Sequence, residues 1–537
     1  MTLLSLIQKT IPAAALLLLA ATGSALAYDV SLKPFTDVSN GDWFQEEVYS
    51  LSAIGLIDGY PDATFQPDGM LTREAFLKLL VQSKSLDPAV PSGDAPADVE
   101  PSRWSYPYIA AAYERKWIDV LLDSRRALDP QRTITRGEVA AVAGRALLDA
   151  QPQEARERWM SQGWQEERER RKYADGDTIG EGLRPYAYYA VNRGIMEGDE
   201  TGFHPQQPLT RKEAAAIFYR LIDAETAGAK LEHTGFYAIR SYPAIGRIPL
   251  LSQVTFGWSH LEYPSPGTAR LNTEKTEYRI PSGWEEALGA AGSAKAGKEL
   301  MVYYGDKNLK DFLKDEGAQN AFIDSLKAVL TDKKYGFSGV CMDLEGLLEP
   351  ASAADYVQFL HRVKKSIPDY KLTVAVQPDY YYKGYDLKEI GGLADTVILM
   401  AYNFTHDESR LPSAPLPLVN DSVKRALALV PKEKLVLGIS KQANQWVTAP
   451  DGGTDSFNPE IAEVEKRLGA PGVSQSMSYP YFLKRMVFQD ERGSHEMYYE
   501  DTESIQKKLW LAKYYGLKGV SLWYMGNYTD SDWKLFE

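Results

Sequence analysis

Tyr335-Gly336-Phe337-Ser338-Gly339-Val340-Cys341-Met342-Asp343-Leu344-Glu345-Gly346 decides the fold of this 537-residue chain. Val340, Met342 and Leu344 alternate with Cys341, Asp343 and Glu345, so the stretch reads as a strand with the last three residues on one face. Helix-like runs precede it (Asp311–Leu330) and follow it (Ala353–Ser366), which is the βα rhythm of a parallel sheet covered on both sides. An edge strand would also show polar residues on one face. In a covered sheet, however, two buried carboxylates are costly unless they have partners or a task. Glu345 stands at the C-terminal end of the strand, where α/β barrels place their chemistry.

Outward from this strand the same rhythm recurs. Strand candidates are Gly235–Ile239, Gln253–Gly257, Glu299–Tyr304, Ser338–Glu345, Lys371–Gln377, Thr396–Tyr402, Lys434–Ile439 and Gly519–Trp523. Helical patterns such as Val419–Val430 and Asp501–Tyr515 separate most of them. Eight such strands over about 300 residues predict an α/β fold, a (β/α)8 TIM barrel over 231–537. Rhythm alone leaves a doubly wound open sheet possible, but no Gly-rich phosphate loop follows the first strand.

The amino-terminal half repeats itself at a period near 60 residues. Phe35-Thr36-Asp37-Val38, Gly59-Tyr60-Pro61-Asp62, Phe65-Gln66-Pro67 and Leu71-Thr72-Arg73-Glu74 have counterparts further on. These are Ala97-Asp98-Val99, Leu128-Asp129-Pro130 and Ile134-Thr135-Arg136-Gly137-Glu138, then Tyr173-Ala174-Asp175, Phe203-His204-Pro205 and Leu209-Thr210-Arg211-Lys212-Glu213. Each unit reads as helix, turn, helix. The Thr fits an N-cap, and Glu74, Glu138 and Glu213 are placed to complete capping boxes. Arg in a first helical turn is wrong-signed for the dipole, so Arg73, Arg136 and Arg211 are expected to hold an anion together with free backbone N–H groups. The charge-rich stretch 151–172 between the second and third units reads as a solvated helix.

Composition bounds the rest. Hydrophobic content of 44% with 25% charged residues is that of a folded protein, and a net charge of −13 argues against nucleic acid and against an anionic membrane as partner. Residues 1–27 read as a cleaved export signal: Lys9, the apolar run Ile11–Ala21 and Ala25-Leu26-Ala27. No later stretch is long enough to span a membrane. Cys341 is the single cysteine, so no intrachain disulfide forms. Export without disulfides points to a bacterial envelope. The six His show no ligand spacing, so neither metal nor cofactor is expected.

Two resemblances rest on these residues. Ser338-Gly339-Val340-Cys341-Met342-Asp343-Leu344-Glu345 is similar to the Asp-Gly-x-Asp-x-Asp-x-Glu signature of glycoside hydrolase family 18. Ser338 and Cys341 stand where the family has Asp. Leu399-Met400-Ala401-Tyr402-Asn403 resembles its Met-x-Tyr-Asp, with Asn403 for Asp, and Trp523 sits where the family has the Trp under the sugar. His495-Glu496-Met497-Tyr498-Tyr499-Glu500-Asp501 resembles the branch of the family that acts on bacterial walls. The resemblance implies that Glu345, Asp343 and Tyr402 are catalytic. It implies that Met400, Asn403, Trp523, Gln377 and Cys341 line the substrate, a glycan of β-1,4-linked N-acetylglucosamine with peptidoglycan ahead of chitin. For each aromatic alone, core packing is the plainer reading, and Cys341 reads as a small buried filler. Asp343 and Glu345, neighbours on one face, suit catalysis assisted by the substrate's acetamido group better than two carboxylates flanking a bond.

The repeats resemble three surface-layer homology domains, at 28–90, 91–150 and 173–225. That implies a threefold helical bundle whose Arg73, Arg136 and Arg211 grip pyruvylated secondary cell-wall polysaccharide, with the protein secreted to the wall of a Gram-positive-type bacterium. A non-catalytic glycan-binding barrel and a purely structural surface-layer subunit are the competing readings.

Overall fold

The computed structural model describes residues 32–84, 86, 94–405 and 410–537. The expected export signal lies outside them. No described helix is long and apolar enough to cross a membrane.

The repeats close into a ring. At its centre the N–H of Leu71 donates to the carbonyl of Leu209, that of Leu209 to Ile134, and that of Ile134 to Leu71, each at 3.0 Å. Each repeat then caps its predecessor. The helix Arg73–Ser83 donates its first N–H groups to Arg132 and Pro130, and Arg136–Asp149 donates to Gln207 and Pro205. Arg211–Thr226 donates to Gly69 and Pro67, all at 2.8–3.0 Å. The free N–H groups expected to hold an anion are therefore occupied, because the turn of the next repeat supplies a carbonyl where a ligand would sit.

The arginines follow the same rule. Arg73 donates to the carbonyl of Leu128, Arg136 to that of Phe203 at 3.2 Å and Arg211 to that of Phe65 at 2.8 Å. These carbonyls are at equivalent places, two residues before the turn proline. Within each repeat Asp37, Asp98 or Asp175 accepts from the N–H of that same residue and of the next one. The next residue, Gln66, Asp129 or His204, is left-handed in each case.

Capping boxes form at Thr135/Glu138 and Thr210/Glu213. The third expected box does not form. Glu74 comes one residue too early in its helix and turns to Arg103 and Ser105, leaving Thr72 to cap Ala75 alone. The 151–172 stretch is helical through a π turn at Trp159–Gly163. It is less solvated than expected: Trp159 packs edge-on against Tyr189, and Glu167 is buried, accepting from Arg171 and Asn192.

The described residues of the carboxy-terminal half form fourteen strands. They are β1 (Glu232–Tyr237), β2 (Gln253–Ser265), β3 (Thr268–Asn272), β4 (Gly297–Tyr304), β5 (Gly339–Leu344), β6 (Lys371–Val376), β7 (Thr396–Leu399) and β8 (Leu435–Ser440). After them come β9 (Asn444–Thr448), β10 (Thr454–Phe457), β11 (Ser474–Ser478), β12 (Leu483–Asp490), β13 (Gly493–Tyr499) and β14 (Gly519–Trp523). Eight of them pair in parallel in the order β1-β14-β8-β7-β6-β5-β4-β2, and β1 pairs with β2 to close the barrel. All eight expected strands are there, and the open-sheet alternative is excluded. The chain between β8 and β14 was not anticipated. It carries a five-stranded antiparallel sheet, order β10-β9-β13-β12-β11, in which His495–Tyr499 belongs to β13.

Bundle and barrel share one apolar core across their junction. Tyr49 stacks on Tyr479 and Tyr219 on Trp510, whose indole N–H donates to Asp223 at 2.8 Å. Between them Lys507, on the barrel helix Thr502–Tyr515, is only 4% exposed. Its ammonium pairs with Glu46 at 2.5 Å and donates to Tyr219 Oη at 2.6 Å and Ser50 Oγ at 3.2 Å.

Candidate active site

β5 is buried along its whole length. Val340, Met342 and Leu344 join the layer under the helices, while Cys341 packs inside the barrel with Phe236, Met301, Ala375, Ile398, Met400 and Val436. This apolar plug is the floor of the site. One step higher on the same face, Asp343 is 2% exposed, and its Oδ1 has no hydrogen-bond partner among the described residues. Glu345 follows at the strand end, half-buried, its N–H bonded to the carbonyl of Tyr304 at 2.7 Å.

Burial, and then the charge of Glu345, pushes the Asp343 carboxyl well up from its ordinary range; burial raises Glu345 too. Burial and the mutual repulsion of the two charges both disfavour ionising the pair together. Burial first, and then the two carboxylates, keeps the Tyr402 phenol well above its usual range, so it is a neutral donor. Cys341 is held as a thiol by burial and by the charges of Glu299 and Asp343, in keeping with a filler.

The remaining expected residues are placed differently from one another. Met400 is in the apolar plug below Tyr402. Trp523 ends β14, half-buried, edge-on to Phe236 at 5.2 Å. Asn403 is exposed with a left-handed backbone (φ 62°), a conformation Asn tolerates, and its N–H donates to Ser413 Oγ at 3.1 Å. Gln377 is buried and works on the backbone: its Oε1 accepts from the N–H of Gly346 at 2.9 Å and from Tyr385 Oη at 3.2 Å. Tyr385 also donates to the carbonyl of Leu344 at 2.8 Å. Gln377 and Tyr385 thus hold the chain on both sides of Glu345.

A cavity of about 340 Å³ opens beside these groups, on the β1–β2–β14 side of the mouth. Phe236, Met301, Tyr278 and Trp523 supply its apolar wall, with Arg240 and Glu277 as its charged residues. Asp343 and Glu345 are not in its wall. They stand next to it: Tyr278 stacks on Tyr303 at 4.6 Å, and Tyr303 pairs with Asp343 across β4 and β5. Sequence reasoning missed Phe236, Tyr278 and Tyr303. Tyr303 lies near the C-terminal end of its expected strand, so position was the available signal; Phe236 stands second in the expected Gly235–Ile239 and reaches the strand's end only because β1 runs Glu232–Tyr237, and Tyr278 lies in a loop and gave none.

The sequence profile described as Glycosyl hydrolases family 18 matches residues 295–527. The barrel is a family 18 domain. S-layer homology domains match at 34–77 and 172–215. They are two where three were expected; the middle repeat is unmatched although its backbone completes the ring. The cortical fragment-lytic enzyme of Bacillus subtilis is 28% identical over 249 residues, which cover 43% of this chain and 56% of the relative. The chain therefore spans about half the length of the curated relatives it matches first. The surface-layer 125 kDa protein of Lysinibacillus sphaericus is 26% identical over 212 residues, 38% of this chain and 16% of that one. Among solved structures, a chitinase from Chromobacterium violaceum aligns with a TM-score of 0.50 and 20% identity, covering 57% of this chain and 98% of its own. That likeness concerns the fold of the family 18 domain.

The three arginines expected to meet the wall differ in the bundle. Arg73 is buried and paired with Glu138 at 2.6 Å. Arg136 is partly open, 3.3 Å from Glu213, in a groove of about 150 Å³ that exposed Trp43 also lines. Arg211 has no carboxylate in ion-pair range among the described residues; it lies over Tyr60 and Phe65, and burial lowers its pKa from the usual value.

Proposed function

We propose that this protein is a wall-attached retaining glycosidase. Its substrate is a β-1,4-linked N-acetylglucosamine glycan, peptidoglycan ahead of chitin. The observation that carries the reading is Asp343 and Glu345 on one strand face, both made weaker acids by burial, and Asp343 Oδ1 without a partner among the described residues. Carboxylates so arranged cannot flank a sugar from opposite sides, which suits the route in which the substrate's own 2-acetamido oxygen is the nucleophile. Glu345 gives its proton to the glycosidic oxygen as the C1–O bond breaks. The acetamido oxygen closes on C1, and Asp343 accepts from the amide N–H and balances the positive oxazolinium. Tyr402 donates to the acetamido oxygen, and Trp523 lies under the ring. Water, deprotonated by Glu345, then opens the oxazolinium and restores the original configuration.

For the anchor, the reading favours the grooves at Arg136 and Arg211 as the places that meet an anionic secondary wall polysaccharide, its pyruvyl groups included. Arg73 is committed to Glu138 and serves the ring. Secretion to the wall of a Gram-positive-type bacterium follows from the anchor. The test is Glu345→Gln in the full chain, incubated with purified peptidoglycan and chitooligosaccharides. New reducing-end N-acetylglucosamine products from wild type, falling at least ~100-fold in the variant, support the enzyme. Tight binding by both with no products makes the barrel a lectin and overturns the reading.

A further inference from the structure

We propose that Arg240 makes the family 18 mouth prefer glycans whose sugars carry a carboxylate over neutral ones, a specificity that rests on the glycosidase reading above. Arg240 follows β1 at the C-terminal end of the barrel, in the segment Ile239–Leu250. Its backbone is pinned where the chain leaves Trp523: a Cβ added at Gly526 would come within 2.8 Å of the Arg240 carbonyl and 3.0 Å of the Tyr524 ring. A fixed Cα beside the sugar-sized cavity gives the guanidinium a defined reach.

The side chain itself is uncommitted. It is 77% exposed, and its ion-pair partner is Glu460, in the connection between β10 and β11, 72% exposed and 3.8 Å away. A pair that long and that hydrated is held weakly, so a carboxylate arriving with substrate displaces Glu460 at little cost. The cavity wall is otherwise aromatic and aliphatic, suited to sugar faces, with Glu277 as its second charge next to Tyr278. Attraction at Arg240 and repulsion at Glu277 together fix where an anionic substituent can sit.

Chitooligosaccharides bring neither an acid nor any other charge. A wall glycan in which alternate N-acetylhexosamines bear a 3-O-lactyl group brings a carboxylate on every second sugar, and a guanidinium takes a carboxylate with two parallel hydrogen bonds. Spacing by two sugars also sets the register in which the strand enters. The polar contact thus selects both the polymer and the bond presented to Glu345.

The experiment compares kcat/KM of the full-length protein on peptidoglycan strands stripped of their peptides, leaving the lactyl carboxylates free, with kcat/KM on chitohexaose. Arg240→Gln lowers the ratio of the two about tenfold, mainly through KM, and removes its dependence on ionic strength. Arg240→Lys recovers part of the preference. A ratio unchanged in Arg240→Gln, or equal losses on both substrates, overturns the assignment while leaving the glycosidase in place. Failure of wild type to cleave either polymer overturns both.

Discussion

The bundle and the barrel each bury charged side chains, and they treat them in opposite ways. Arg73 and Glu138 are both under 10% exposed, and every approach between them is matched: guanidinium to carboxylate at 2.6 Å, guanidinium to the Leu128 carbonyl, carboxylate to the Thr135 N–H. Asp343, just as buried, has an oxygen with no donor among the described residues and a carboxylate neighbour that repels it. A matched buried pair holds a fold in one arrangement, whereas an unmatched buried acid lowers stability and earns its place only by acting on something else. The same physical cost thus marks structure in one half of the chain and chemistry in the other.

The largest effects separate those two cases. Arg73→Ala removes the buried partner of Glu138 and leaves it only the half-exposed Arg132 at 3.4 Å, so it is expected to cost the bundle about 3 kcal/mol in urea unfolding, with the barrel transition little moved. Asp343→Asn, at an equally buried site, is expected to leave the barrel's unfolding midpoint unchanged or higher while kcat falls ~100-fold or more. A large loss of barrel stability in that variant would erase the contrast.

A smaller effect sharpens it within the barrel. Glu299, at the opposite end from the mouth, is 3% exposed, bonded to Thr373 at 2.8 Å, and pushed up to about 7 from 4.5, chiefly by burial. The folded state favours its neutral form, so its contribution is greatest below the unfolded value and is lost as pH rises through about 7. The loss amounts to about 3 kcal/mol between pH 4.5 and 7. Glu299→Gln should flatten that part of the stability-against-pH curve for the barrel; an unaltered slope would place the titration elsewhere.

The smallest concerns the junction. Lys507→Met leaves Glu46, which is 46% exposed on its side chain, free to hydrate, so the expected cost is about 1–2 kcal/mol. It should appear as bundle and barrel melting further apart in calorimetry. Coincident, unshifted transitions would mean that the aromatic stacks alone hold the two halves together.

The barrel was legible because both faces of its strands are buried. Val340, Met342 and Leu344 announce the outer layer and Cys341 the inner one, so apolar content and spacing suffice. The inserted sheet was not legible for the converse reason. Thr454–Phe457 and Ser474–Ser478 lie largely in solvent, and their polar residues show no alternation to read. Asp343 and Glu345, the acids proposed as catalytic, stood out because they interrupt an apolar strand. The arginines were seen but misread in part: their helix-start location suggests an anion, and only the closed ring shows carbonyls of another repeat, more than 50 residues away in the chain, filling that place. Long-range closure of this sort leaves no local mark.

Lys507 has one more implication. A flexible tether lets a tethered hydrolase sweep a volume and cut whatever enters it. Here the ammonium, its three partners and the stacked rings leave no leash between anchor and mouth. Under the proposed function it is a fixed tool on a stand: its cutting direction is set when the stand is placed, which confines lysis to strands that pass within one molecule's length of each attachment point.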